Sequence, residues 1–207
     1  MNIAILGFGV VGSGVADVIK SNSDSILKNS NVSLKVARIL DIRDFSGNEY
    51  ENIITKNFDD ILNDDTIDIV VETMGGLHPA YEYVLASLKA GKSVVTSNKE
   101  LVAQKGYELL QVARENNVNY FFEASVGGGI PLIRPMHGCM AGNKITEFYG
   151  ILNGTTNYIL TKMFTLGASF EDSLLDAQER GYAERNPDAD ILGTDAARKI
   201  TILAALL

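Results

Sequence analysis

The chain has 207 residues, enough for one large domain or two small ones with a real core. Hydrophobic residues make up 46% and charged residues 21%, the ordinary balance of a soluble globular protein. Its 18 Lys and Arg against 26 Asp and Glu give a formal charge of −8, and an acidic chain without a basic stripe is a poor partner for nucleic acid.

Residues 2–6 form a short apolar run, as expected of a buried parallel strand. A glycine-dense turn spans 7–14, and helical spacing continues over 11–19. Residues 32–40 read as a second strand ending at Asp41, and the polar stretch 44–57 as a loop. A short helix is expected over 58–62 and a strand over 67–71. Then come a helix over 79–89 closed by Gly91, a strand over 93–96, a helix over 101–115 and a strand over 118–122. Alternating strands and helices of this kind indicate βαβ units and a doubly wound parallel sheet, a Rossmann-type α/β fold.

The pattern changes after Glu123. Gly127-Gly128-Gly129-Ile130-Pro131 interrupts the chain, so a domain boundary falls between 130 and 131. A helix is expected to about His137, a strand over 144–152, a turn at Gly154-Thr155-Thr156 and a helix over 157–164. Ser169 is a candidate N-cap for a helix through Arg180, which Gly181 ends. A last helix starts at Asp190 or Thr194 and reaches the final residue. The second domain, 131–207, thus reads as a partial α+β domain. Its last helix is apolar, without a cap or polar tail, and such a helix needs a partner. The sequence reads as a piece of a longer protein.

No apolar run is long enough to span a bilayer, and residues 1–6 carry no basic targeting segment, so a cytoplasmic protein away from membranes is expected. The single cysteine, Cys139, cannot form an intrachain disulfide and reads as a small packed apolar residue. His78 is expected to begin a helix and His137 to be structural; their separation suggests no zinc site.

Gly7-Phe8-Gly9-Val10-Val11-Gly12 is a G-x-G-x-x-G between a strand and a helix, with Gly14 two residues further on. The first glycine permits the tight turn. The second lets backbone approach a pyrophosphate, and the third lets helix and strand pack closely. A dinucleotide site follows, against the alternative of a turn that only packs tightly. Asp41, at the end of the second strand, suits the ribose hydroxyls of NAD. Arg43, two residues on, suits the extra phosphate of NADP or is a plain loop charge. The residues leave NAD or NADP open.

Further segments carry a family resemblance. They are Glu72-Thr73-Met74-Gly75-Gly76, Val95-Thr96-Ser97-Asn98-Lys99, the stretch from Glu123 to Pro131, and Leu152-Asn153-Gly154-Thr155-Thr156-Asn157-Tyr158-Ile159-Leu160. Then follow Ala177-Gln178-Glu179-Arg180-Gly181-Tyr182-Ala183-Glu184 and Pro187, Asp190, Gly193, Asp195 and Lys199. In order and spacing, over nearly the whole chain, these resemble homoserine dehydrogenases, whose chains continue well past this point.

The resemblance implies interconversion of L-homoserine and L-aspartate 4-semialdehyde with NAD(P)H, in threonine and methionine biosynthesis, by a homodimer when the protein is complete. It places Lys199 as proton donor and Lys99 near the nicotinamide. Asp195 lies beside them, and Glu184, Asp190, Asn153 and Thr155 fall in the substrate pocket. Gly7, Phe8, Gly9, Val11, Gly12, Gly14, Asp41, Arg43, Thr73 and Lys99 fall at the cofactor. Glu123, Val126, Gly128 and Ile130 lie where some members bind sodium or potassium, mostly through backbone carbonyls.

Reduction of an aldehyde needs a hydride at carbon and a proton at oxygen, and a positioned lysine can supply the proton. A second cation such as Lys99 disfavours a charged ammonium, and a carboxylate such as Asp195 favours it. Glu184 or Asp190 can hold the ammonium group of an amino-acid substrate. Spacing alone supports plainer readings. Asp195 and Lys199 stand i, i+4 on one helix, which usually marks a surface salt bridge, and Asp195 could pair with Arg198 instead. Glu184 could be a solvated turn residue, and Asn153 could cap a turn. Two other functions compete: a dinucleotide-binding fragment that does not turn over, and another reductase of amino-acid metabolism with the same glycine turn.

Overall fold

In the computed structural model, residues 1–140 and 142–206 are described. The chain divides into two compact units, Met1–Leu132 and Ile133–Leu207.

The first unit is built on six parallel strands: β1 (Asn2–Leu6), β2 (Lys35–Leu40), β3 (Ile54–Thr55), β4 (Ile67–Glu72), β5 (Ser93–Thr96) and β6 (Tyr120–Phe121). Their order is β3-β2-β1-β4-β5-β6. The order reverses between β1 and β4, and ligands of open α/β sheets bind at the carboxyl ends of the strands beside such a reversal. The helices are α1 (Val10–Ser21), α2 (Ser23–Ser30), α3 (Asp59–Leu62), α4 (Ala80–Lys89) and α5 (Lys99–Glu115).

Side chains alternate across the sheet, so each strand serves two cores. Ile3, Ile5, Ile39 and Val71 pack with Ala16 and Ile19 of α1 and with Phe8. On the alternate positions Val70 and Val94 are buried, as are Val84 and Leu88 of α4 and Leu101 and Leu109 of α5. Burying one such side chain fully contributes about 1.5–3 kcal/mol, so both faces hold the sheet in place.

Several expectations are corrected. Residues 20–31, between the first expected helix and the second expected strand and assigned no element, contain α2, closed by Asn31 in the left-handed region at φ 56°. The expected loop 44–57 holds a 3₁₀ turn at Glu51–Ile53 and the short β3, and β2 begins at Lys35 rather than at 32. Cys139 is exposed rather than packed.

The second unit contains α6 (Ile133–Cys139), α7 (Gly154–Leu166), α8 (Phe170–Glu179), α9 (Asp188–Ile191) and α10 (Thr194–Ala205). Ile159, Ala177 and Ala183 form its core with Tyr158, Met163 and Leu174 against them. The strand expected over 144–152 does not form. A strand is stable only with a ladder partner and a packed face. Here Tyr149 and Ile151 stand 92% and 76% exposed, without that packing. The turn expected at 154–156 is instead the first turn of α7. Among the described residues no helix is long and apolar enough to cross a membrane.

Candidate dinucleotide and proton-donor sites

The three glycines of the turn stand in different surroundings. Gly7 has φ +92°, a conformation side chains rarely adopt. A Cβ on Gly12 would stand 1.9 Å from the Gly7 carbonyl oxygen, so α1 can cross β1 this closely only at a glycine. A Cβ on Gly9 or Gly14 would meet nothing within 4 Å. The space above Gly9 is open to a ligand. Val11 is exposed beside it on the first turn of α1. Phe8 turns its ring into the core against Phe45 and Tyr50, at 5.3 and 5.6 Å between centroids. Only its backbone faces the turn.

The Phe8 amide donates to Asp41 Oδ2 at 2.7 Å, tying the turn to the end of β2. Arg43 closes on the same carboxylate through Nε at 3.0 Å, a second guanidinium nitrogen at 2.8 Å and its backbone N–H at 2.9 Å. The Arg43 guanidinium holds the Asp41 carboxyl well below the usual carboxylate range. Asp41 is buried while the Arg43 side chain is 56% exposed, its guanidinium carbon 5.1 Å from the Phe45 ring centroid. The acid anchors, and the cation is the group presented to solvent.

Thr73, just beyond β4, donates from its hydroxyl to the carbonyls of Leu6 at 3.1 Å and Gly7 at 2.8 Å, bracing the glycine turn from the other side. Next to it lies a group that sequence reasoning left without a role. Glu72 ends β4 completely buried. The Met74 and Gly75 amides donate to its Oε1 at 2.8 and 3.2 Å, and the Thr96 hydroxyl to its Oε2 at 2.5 Å. An acid closing the apolar run Ile-Val-Val is the same signal that singled out Asp41 after β2. Lys99 is the first residue of α5, half-buried, behind the N-cap Asn98.

At the end of the first unit Glu123 Oε1 accepts from the Leu132 amide at 2.6 Å. The Glu123 carbonyl accepts long bonds from Val126 and Gly127 N–H, at 3.3 and 3.5 Å. A Cβ on Gly127 would stand 2.7 Å from the Ile130 carbonyl oxygen, so the 126–130 loop folds tightly on itself. Val126 is buried, Ile130 is exposed, and a Cβ on Gly128 would meet nothing within 4 Å.

In the second unit four of the expected residues meet. Asn153 caps α7: its Oδ1 accepts from Thr156 N–H at 2.8 Å. Its Nδ2 donates to Asp190 Oδ1 at 2.7 Å and Asp195 Oδ2 at 3.0 Å. Asp195 also pairs with Lys199 at 3.0 Å, and Lys199 Nζ donates to the Leu152 carbonyl at 2.8 Å. The Asp195 and Lys199 side chains are 5% and 17% exposed, so this is not a solvated surface pair. Two charges so sheltered persist only when their hydrogen bonds are met. Asn153 and the Leu152 carbonyl meet them.

Thr155 does not join that cluster. Its hydroxyl donates to the Tyr182 carbonyl at 2.7 Å and pins the turn after α8. Gln178 holds the Glu184 carbonyl at 3.1 Å, and Glu184 itself is exposed on that pinned turn. Among the described residues no group of three or more His, Cys, Asp or Glu side chains is arranged to hold a metal ion.

The strand order, the glycine turn and the acid after β2 define a nucleotide-binding protein of the Rossmann type. Residues 7–123 match the family model described as homoserine dehydrogenase, NAD binding domain, and residues 131–207 match that described as homoserine dehydrogenase. The chain belongs to the homoserine dehydrogenase family.

It is 44% identical over 208 residues to the homoserine dehydrogenase of Helicobacter pylori, covering 100% of this chain and 48% of the relative. The crystal structure of the Thiobacillus denitrificans homoserine dehydrogenase superposes with a TM-score of 0.90 at 41% identity, covering 99% of this chain and 48% of that one. A hyperthermophilic archaeal homoserine dehydrogenase in complex with NADPH superposes with a TM-score of 0.85 at 31% identity, covering 99% and 69%. The chain spans about half the length of the curated relatives it matches.

Proposed function

We propose that the chain supplies the dinucleotide site and the proton donor of an oxidoreductase. The reaction is interconversion of L-homoserine and L-aspartate 4-semialdehyde with NADPH or NADH, on the way to threonine and methionine. One observation carries the reading: Asn153, Asp190, Asp195 and Lys199 converge in one sheltered network, in a chain whose other unit ends its first strand in a dinucleotide turn.

A reduced nicotinamide, when bound, supplies the hydride. The open backbone at Gly9 and the first turn of α1 take the pyrophosphate. Arg43, exposed and backed by Asp41, meets the adenosine ribose and its phosphate. Lys199 Nζ gives a proton to the carbonyl oxygen of the aldehyde, with Asp195 and the Leu152 carbonyl fixing its direction. Asp190 and Glu184 hold the substrate ammonium, and Lys99 serves the nicotinamide side.

The carbonyls of Glu123, Val126, Gly128 and Ile130 would hold a sodium or potassium ion, which suits hard oxygen donors. The tight 126–130 loop and the weak bonds at the Glu123 carbonyl fit such a role. We place the protein in the cytoplasm and, at the relatives' full length, in a homodimer acting on a small molecule rather than on nucleic acid.

The half-length span favours a second reading, a fragment that binds dinucleotide without turning over. The deciding experiment follows NADPH oxidation with L-aspartate 4-semialdehyde, in this chain and in the chain extended to the relatives' length. Turnover by the extended protein supports the first reading. NADPH binding with no turnover in either leaves only the second.

A further inference from the structure

The carboxylate of Glu72 is fully buried, and among the described residues its bonds come from two backbone amides and a hydroxyl rather than from a cation. Its Oε1 gathers the N–H groups of Met74 at 2.8 Å and Gly75 at 3.2 Å, fixing the chain just after β4. Its Oε2 accepts from the Thr96 hydroxyl at 2.5 Å, at the end of β5. Thr96 Oγ1 in turn accepts from Asn98 N–H at 2.9 Å. Asn98 then does two things: its Oδ1 caps α5 through Leu101 N–H at 3.0 Å, and its Nδ2 returns to the Gly76 carbonyl at 2.6 Å. A closed loop of bonds therefore joins 73–76 to the first turn of α5, where Lys99 stands.

A buried carboxylate costs much unless its oxygens are satisfied, and an apolar residue would pack at this position without that cost. In a Rossmann sheet the β1–β3 half takes the adenosine mononucleotide and the β4–β6 half takes the other one. The Glu72 loop lies wholly in the second half. We infer that Glu72 is a positioning residue for the nicotinamide half of the cofactor, acting through Thr96 and Asn98 on the 73–76 loop and on the start of α5. This rests on the dinucleotide reading above.

The test uses Glu72→Gln and Thr96→Val, with Thr96→Ser keeping the hydroxyl. In each variant, calorimetry measures affinity for NADPH and for adenosine 2′,5′-bisphosphate, which lacks the nicotinamide half. Amide exchange is read in the ligand-free chain. Glu72→Gln and Thr96→Val should weaken NADPH by about tenfold, the worth of one charge-assisted hydrogen bond, and leave the bisphosphate unchanged. Thr96→Ser should match the parent chain. Exchange should quicken at Met74, Gly75 and Asn98, and stay unchanged at Gly7.

Equal losses for both ligands, or unaltered exchange at those three amides, would overturn the inference. If Glu72→Gln fails to fold, the two Thr96 variants decide alone. A parent chain that binds neither ligand sinks the dinucleotide reading instead, and the exchange pattern still decides whether Glu72 sets this loop.

Discussion

The Asn153 side-chain amide reaches the Asp195 carboxylate at 3.0 Å across 42 positions of chain, and the same nitrogen reaches Asp190 at 2.7 Å. One residue therefore starts α7 and aligns two acids from α9 and α10. Asn153→Ala removes the cap, worth about 0.5–2 kcal/mol, and also takes one donor from each of two acids. Asn153→Asp keeps the cap but sets a third carboxylate against the other two. Denaturant unfolding should show both variants destabilised. Unfolding curves that coincide with the parent would show that the contact is incidental.

Lys199 is held between Asp195 and the Leu152 carbonyl, which leaves one of its three N–H groups to give. In the protein at the relatives' length, Lys199→Ala should lower kcat by roughly 10²- to 10⁴-fold, the usual worth of a positioned acid. NADPH affinity should hardly change. Glu184→Ala should act mainly through KM, as loss of uniform binding does. A Lys199→Ala enzyme with normal kcat would return Asp195–Lys199 to a structural pair.

Two glycines of one turn should fail differently. Gly9→Val adds atoms where nothing lies within 4 Å, so the chain should fold and lose dinucleotide binding. Gly12→Ala drives a Cβ to 1.9 Å from the Gly7 oxygen. That should cost stability by about 1–3 kcal/mol or more, as overpacking does, before binding is considered. Thermal melts and calorimetry on both variants separate the two effects. Equal melting with unchanged affinity in Gly9→Val would remove the pyrophosphate from this turn.

Arg43→Ala should weaken NADPH more than NADH, because the guanidinium is the exposed member of its pair and Asp41 the buried one. Equal losses for the two cofactors would mark Arg43 as a brace for Asp41 alone.

Asp41 also carries a pH signature. Its folded carboxyl is depressed below the ordinary value of 3.8 by Arg43 and by the Phe8 and Arg43 amides. A depressed carboxyl stabilises the fold above its unfolded value, and the contribution fades as pH falls through the folded value. The stability gap between the parent and Asp41→Asn should therefore be flat from neutral pH down to about 5 and narrow below 3.8. A gap that widens on acidification would contradict the assignment.

What could be read from the residues followed where burial imposes a pattern. β1, β4 and β5 pack apolar side chains on both faces, so they appear as mainly apolar runs between glycines and helices. α2 has no buried residue, so no periodicity betrayed it. β3 is two residues long and exists only because Ile39 and Leu40 offer it a ladder. The 144–152 segment failed the other way: its composition suits a strand, but pairing is decided by a neighbour, which composition cannot report. In the site, Asn153 looked like a turn cap because its reach to Asp190 and Asp195 depends on tertiary folding. Glu72 was legible in principle, as an acid ending an apolar strand.

Three carbonyls at the glycine turn are spoken for. Thr73 takes the Leu6 and Gly7 carbonyls, Ser13 takes that of Gly9, and α1 opens without any side-chain cap. Among the described residues the first-turn N–H groups of α1 have no side-chain acceptor, as helix N-termini leave them. Amides neither titrate in the physiological range nor call for a divalent ion to bridge them to a diphosphate. A pyrophosphate held there as proposed should bind equally with magnesium or with chelator, and acid or base should alter cofactor affinity only through groups elsewhere in the site.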